Sequence, residues 1–483
     1  MKKIILGTVF LFLIVILVGS FVTGPVTKSM LESQISEINK MPGYRAELTE
    51  YNAGWRKADG KIEIGFDWDF YTSLSASDLT PEQKARLAAV PSHLVLDLQV
   101  AHGPILTNNG IGLGLSFIKL TPNVSDNARL QSFQERAKVN ELFTYQMVVG
   151  LLGGSSFSLD SPPLQIADES TGSLFSYGGT HFEGSYNARS KAFIAEGALQ
   201  PLTFALEGSS FEMAATELDA DLVLLNQAVS LGDMEIKIAK FTGVGPEQGG
   251  VSELSMADLL IRYEGEKDSD ETVKMAVQYG IGEMVVGDQR LSDMNFQVAF
   301  ERLGIEALQQ YYDQLINLYE NAEDTSAVQQ QLAAMSELGS AFLKYSPAVD
   351  IPDVSFVIND GKFSANTRVD FEGQGADITP ADLANPLMLM ARLKVVGALN
   401  VDQQMLDTFG VKMLADQISA QLASQNQQMS EDEIHELAQT QLQGMLAQQV
   451  QQGILEATVD GYRAAFSMDK GAMKLNGQPF SPF

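Results

Sequence analysis

The residue types able to do chemistry are few in this chain, and they are scattered. Four histidines stand at His93, His102, His181 and His435, and no two are spaced like metal ligands on one helix or hairpin. A mononuclear metal site would need the fold alone to gather its ligands. Cysteine is absent, which removes disulfides, thiolate zinc sites, a thiol nucleophile and a lipidated anchor cysteine. No serine lies in a G-x-S-x-G elbow, no G-x-x-x-x-G-K-[ST] loop occurs, and "GIGLG" at 110–114 fails the dinucleotide pattern at its third glycine. The expectation is therefore no catalytic, cofactor-binding or metal residues.

Two features come nearest to a site. Asp67 and Asp69 stand at i and i+2 on one face of an alternating run, an arrangement that glycosidases can use, although alternating acids on a solvated strand face are the ordinary case. His102, in "VAHGPIL", follows an apolar strand and precedes Gly103-Pro104, a turn pair. Its imidazole is expected at a strand end, hydrogen-bonded to the turned backbone, in a structural role.

The elements that must position these residues are mostly strands. "KIEIGFDWDF" puts Ile62, Ile64, Phe66, Trp68 and Phe70 on one face and acids on the other, and "HLVLDLQV" repeats the alternation. From Gly172 to about Lys240, short alternating runs separated by Gly, Asn and Asp read as an antiparallel meander, and further strands follow to "MARLKVVGAL" at 390–399. Helical spacing appears in "GIEALQQYYDQLINLYENA", in "SAVQQQLAAMSELGSAFLKY" and over 401–452, where Ser430 and Glu433 form a capping box and glutamine is frequent. The glutamine-rich helices read as a surface pair or as a partner-binding arm. "ADGKIEI" (58–64), "NDGKFSA" (359–365) and "MDKGAMKL" (468–475) read as hairpin turns in which glycine takes the positive φ. The expected fold is α+β, a predominantly antiparallel β-meander sheet with packed amphipathic helices, preceded by one N-terminal transmembrane helix. Its parts are a signal-anchor helix over 1–24, a β-rich region over 25–300, and a mixed helical and β region over 301–483 that continues the sheet and ends in a hairpin.

That anchor rests on the 19 uncharged residues from Ile4 to Val22. As a helix they span about 28 Å, close to a bilayer core of roughly 30 Å. Lys2 and Lys3 precede the run, so the rest of the chain is expected outside the cytoplasm. The competing reading is a signal peptide cut before Phe21. After Gly24-Pro25 an amphipathic helix carries Leu31, Ile35 and Ile38 along one face. The formal charge of −29 repels phosphate backbones and anionic headgroups, which excludes nucleic acid from the expected partners.

Three stretches bear a resemblance. "YRAAFSMDKGAMKLNGQPF" (462–480), ending its strand in Leu475-Asn476-Gly477, is similar to the carboxy-terminal signature of the YdgA-like family of Gram-negative envelope proteins. "YNAGWRKADGKIEI", with Tyr51, Gly54 and Trp55, resembles that family's amino-terminal Tyr-x-x-Gly-aromatic segment, and His102-Gly103-Pro104 resembles its His-Gly-Pro element. The resemblance implies a domain of unknown function anchored in the bacterial inner membrane, single-pass, with a periplasmic body that self-associates. It brings no catalytic residues, and the motif positions are expected to be structural.

Two functions follow as expectations. One is a membrane-tethered binding or structural module, holding a lipid, an envelope polypeptide or a second copy of itself through apolar or amphipathic contact. The alternative is an unrecognised envelope hydrolase.

Overall fold

The structure, a computed structural model, describes residues 24–481 except 41–42, 67–91, 107–111, 169–171, 207–208, 246–252, 288, 321–337, 374–381, 383–384, 425–426 and 428. Asp67, Asp69 and the Ile4–Val22 run lie outside the described residues, as does most of the helical pattern over 326–345. No helix among the described residues is long and apolar enough to cross a membrane. The chain is α+β and mostly antiparallel sheet. It divides into two compact units, one from Met1–Phe204, Glu217–Leu225 and Asp313–Val328, the other from Ala205–Thr216, Asn226–Tyr312 and Gln329–Phe483.

The first half of the chain supplies β1 (Tyr44–Ala53), β2 (Lys57–Phe66), β3 (His93–His102), β4 (Ile105–Leu106), β5 (Gly112–Leu113), β6 (Ser116–Pro122), β7 (Thr144–Val149), β8 (Gly154–Ser161), β9 (Leu164–Asp168), β10 (Ser173–Tyr177), β11 (Thr180–Asn187), β12 (Ala192–Leu199), β13 (Leu202–Leu206), β14 (Ser209–Met213) and β15 (Thr216–Leu224). In the first unit, β1-β2-β3-β6-β7-β8-β11-β12 pair in that order, every pair antiparallel. Period-2 alternation sends Ile62, Leu98, Val100, Ile118, Met147 and Val149 to one face, where they are buried. What buries them is the helix over 24–38, which lays Leu31, Met30 and Ile35 on that face. On the other face Leu106, from the β4–β5 hairpin, packs with Ala101, Phe117 and Val148. The helix Ala128–Ala137, which the sequence reading did not anticipate, is capped by Asn127 and carries no buried residue.

The second unit contains β14 and then β16 (Ser230–Val244), β17 (Glu253–Lys267), β18 (Thr272–Val286), β19 (Gln289–Gly304), β20 (Ala348–Ile358), β21 (Gly361–Phe371), β22 (Leu393–Asp402), β23 (Glu456–Ala457), β24 (Gly461–Asp469), β25 (Ala472–Leu475) and β26 (Gln478–Pro479). Here β14-β16-β17-β18-β19-β20-β21-β22-β24-β25-β26 pair consecutively and antiparallel. Helices Val411–Ser424 and Glu431–Gln451 pack on each other, the second burying Ile434 and Ala438, and the capping box of Ser430 and Glu433 forms as expected.

Two of the three expected glycine turns are built otherwise. Asp59 and Gly60 lie inside β2, and the turn falls at 54–56 instead. Gly60 pairs with Tyr51, next to the irregularity between Leu48 and Glu50, and any Cβ there would come to 2.1 Å from the Glu50 carbonyl oxygen. Close approach, not positive φ, demands that glycine. At 359–361 the positive φ belongs to Asn359 and Asp360, while Gly361 abuts the Met405 backbone. Only at Lys470-Gly471 does the glycine itself take the left-handed conformation.

Candidate binding surface

The same alternation in the second unit produces a broad apolar sheet face. One row crosses six strands as Ile261, Tyr279, Phe296, Val354, Ala365 and Leu399, each directly opposite the next. A second row runs Met275, Phe300, Val349, Val369, Val395 and Met468. Tyr279 and Phe296 stack with ring centroids 6.3 Å apart, and Phe356 and Phe363 at 4.9 Å. None of the first row is buried, and Tyr279 and Phe296 stay 48% and 38% exposed. This is an apolar surface rather than a core.

The opposite face of these strands is polar and internally matched. Gln278 donates to Asn295, and Asn295 donates to Asp353. Nearby, Arg368 meets Glu301 at 2.6 Å and Asp370 at 2.9 Å, and Arg302 meets Asp370 at 2.8 Å. The Arg368 hydrogen bond holds the Glu301 carboxyl below its usual range. These groups satisfy one another, and Ala276 and Ala299, opposite each other on the same face, are buried among them.

The motif positions fall in two places. Tyr51, Gly54, Trp55, His102, Gly103 and Pro104 meet at one end of the first unit's sheet, because the His102 amide donates to the Arg56 carbonyl beside the β1–β2 turn. Gly54 closes that turn onto the Lys57 carbonyl, and Trp55 projects from it. The Tyr51 ring packs against the core with its hydroxyl unpaired, and burial raises its pKa. Leu475, Asn476 and Gly477 lie in the second unit. There the Asn476 side chain accepts from the Ala465 amide and donates to the Gly453 and Ile454 carbonyls, tying three segments together.

His102 does sit at a strand end, but its ring does not hydrogen-bond the turned backbone. It is 1% exposed, both ring nitrogens lack a partner, and burial alone pushes its pKa down. Across the strand pair stands Ser116, fully buried and with its hydroxyl also unpaired. A Cβ added at Gly24 would lie 3.5 Å from His102 Nε2, so the ring sits against the start of the helix over 24–38. Gly103 carries the turn because any side chain there would strike the Gly114 carbonyl oxygen at 1.7 Å.

The remaining histidine with a carboxylate partner is His181. Its Nδ1 lies 2.6 Å from Asp160 Oδ1 and its Nε2 lies 3.9 Å from Glu183, with the ring open to water. The Asp160 hydrogen bond raises its pKa, and no hydroxyl is bonded to the ring. A shallow depression of ≈ 400 Å³ nearby is lined by Phe117, Ile194, several serines, Glu183 and Glu196. Among the described residues no group of three or more His, Asp or Glu is placed to hold a metal ion. Sequence reasoning found the strands that carry Tyr279, Phe296 and Phe300 but missed their openness, because alternation reports which face is apolar and not what covers it.

Comparison with known proteins places the chain in a family. It belongs to the bacterial proteins of unknown function described as DUF945, which match residues 1–483. No curated protein and no solved structure matches it.

Proposed function

We propose that this protein is a binding module of the bacterial envelope, whose second unit receives the apolar part of a lipid or polypeptide on its open sheet face. The Ile4–Val22 run tethers it in the inner membrane of a Gram-negative cell, as the YdgA-like resemblance implies, with the body in the periplasm. The observation that carries this reading is the row from Ile261 to Leu399, apolar across six strands with no member buried. Soluble monomers rarely expose apolar patches beyond a few hundred Å² unless something binds there. Each Å² taken from water is worth about 25 cal/mol, so a bound chain or helix gains most along the aromatic part of the row. The matched ion pairs of the other face leave it no comparable drive to associate.

Full-length protein purified in mild detergent tests the proposal by native mass spectrometry and organic extraction. Bound lipid, bound peptide or self-association is the expected result. Bare monomer, combined with turnover in a screen of envelope substrates, would instead favour a hydrolase.

A further inference from the structure

The net charge of −29 is not spread evenly, and one end of the first unit departs from it. The register brings together, at a single end of the sheet, the β1–β2 turn, the described parts 103–106 and 112–115 of the next connection, the β7–β8 turn and the β11–β12 turn. Lys57 stands opposite Ala101, His102 opposite Ser116, Ser116 opposite Val149, and Gly154 opposite Asn187. These four connections contain Arg56, Lys57, Arg189 and Lys191, all exposed, and no acid. The nearest carboxylate on the strands they join is Asp59, which accepts from Asn52. In a chain with 61 acids and 32 lysines and arginines, an end with cations alone is a strong local reversal.

The same end is apolar at its tips. The β7–β8 turn presents Leu151 and Leu152, the latter 83% exposed, and Leu113 of the β4–β5 hairpin is 71% exposed. Trp55 tips the β1–β2 turn, and Val26 stands out from the first turn of the helix over 24–38. That helix begins against His102, so Gly24 is at this end too. The uncharged Ile4–Val22 run stops two residues before it.

We infer that this end of the first unit rests on the bilayer surface, with Trp55, Leu113, Leu151 and Leu152 at the depth of the headgroups and first methylenes. Arg56, Lys57, Arg189 and Lys191 then meet lipid phosphates. Three independent features point to a membrane: indole and leucine tips exposed to water, cations without acids, and the place where an apolar run of spanning length joins the described residues. A tryptophan beside arginine and lysine suits the interface, where the ring is half in hydrocarbon and the charge is at phosphate. The inference rests on the proposed anchor and adds an orientation to it: the first unit stands with this end down.

The absence of cysteine makes the test clean, since a single introduced thiol takes all of a fluorescent label. Full-length Leu152→Cys, labelled with an environment-sensitive dye, is reconstituted in vesicles of equal parts phosphatidylcholine and phosphatidylglycerol. Gln131→Cys, on an exposed helix at the other end of the strands, is the control. Both variants lie in exposed positions, so the fold is undisturbed. The expected result is loss of iodide quenching and a blue shift at 152, with neither at 131. Protein that stays in the vesicles through an alkaline wash while the label at 152 remains as quenchable as that at 131 overturns the inference and leaves the anchor standing. Protein that washes off overturns both.

Discussion

The two units carry the same period-2 alternation and put it to opposite uses. In the first, Leu98 and Ile118 reach 1% exposure because the helix over 24–38 lies across them. In the second, the equivalent row through Tyr279 and Phe296 stays open. The difference teaches that strand patterning chooses a face but not its fate. A sheet face becomes a core only when the chain supplies a cover, and a face left open is available to something else.

Truncation separates the two cases most strongly. Leu98→Ala or Ile118→Ala is expected to cost about 4 kcal/mol in the first unit, the cavity adding to the lost transfer energy. Phe296→Ala, already partly in water, should cost only about 1 kcal/mol, and denaturant unfolding of each variant checks the contrast. Equal losses would mean that the second face is a core after all. Next comes the capped end of the first unit. Gly103→Ala drives a methyl into the Gly114 carbonyl and should cost about 3 kcal/mol, read from the same unfolding curves. In the second unit, Asn476→Ala removes the hydrogen bonds that hold the Ala465 amide and the Gly453 and Ile454 carbonyls, for a loss of about 2 kcal/mol.

A pH-dependent effect comes from titration beneath the cover. His102 has its folded pKa lowered by burial, so as pH falls the unfolded chain binds its proton first. Its contribution is intact above the ordinary histidine range near 6.5 and is lost as pH drops below it, with a slope of at most about 1.4 kcal/mol per pH unit. Ser116 from β6 and Gly24 from the helix face the ring, the adjoining β2 end contributes the Arg56 carbonyl, and no carboxylate offsets the charge. Stability measured between pH 7 and pH 5 should fall in the native protein and flatten in His102→Leu.

Much of this architecture was legible. β3, β18 and the capping box at Ser430 appear where alternation and capping chemistry put them. β6, β7 and β8 were not identified because they lie among polar and glycine-rich residues, and "SFIKLTP" alternates only weakly. The turn at Ala58–Gly60 was misplaced because Asp-Gly signals a hairpin in general, whereas here the glycine answers the close approach of the Glu50 carbonyl. The motif residues around His102 were found, but the isolation of the His102 ring was not, since an imidazole without partners depends on contacts made by the helix over 24–38. The open face was hidden for the same reason: what fails to cover a sheet leaves no mark on the strands themselves.

The central claim is that the apolar face of the second unit is occupied by something other than this chain's own core. Photocrosslinking in intact cells tests it directly, with benzoylphenylalanine placed at Phe296 on the apolar face or at Asn366 on the polar one. Adducts to lipid, to another polypeptide or to a second copy at 296, and none at 366, are the predicted result. Equal labelling at the two positions, or no adduct at 296, would contradict it.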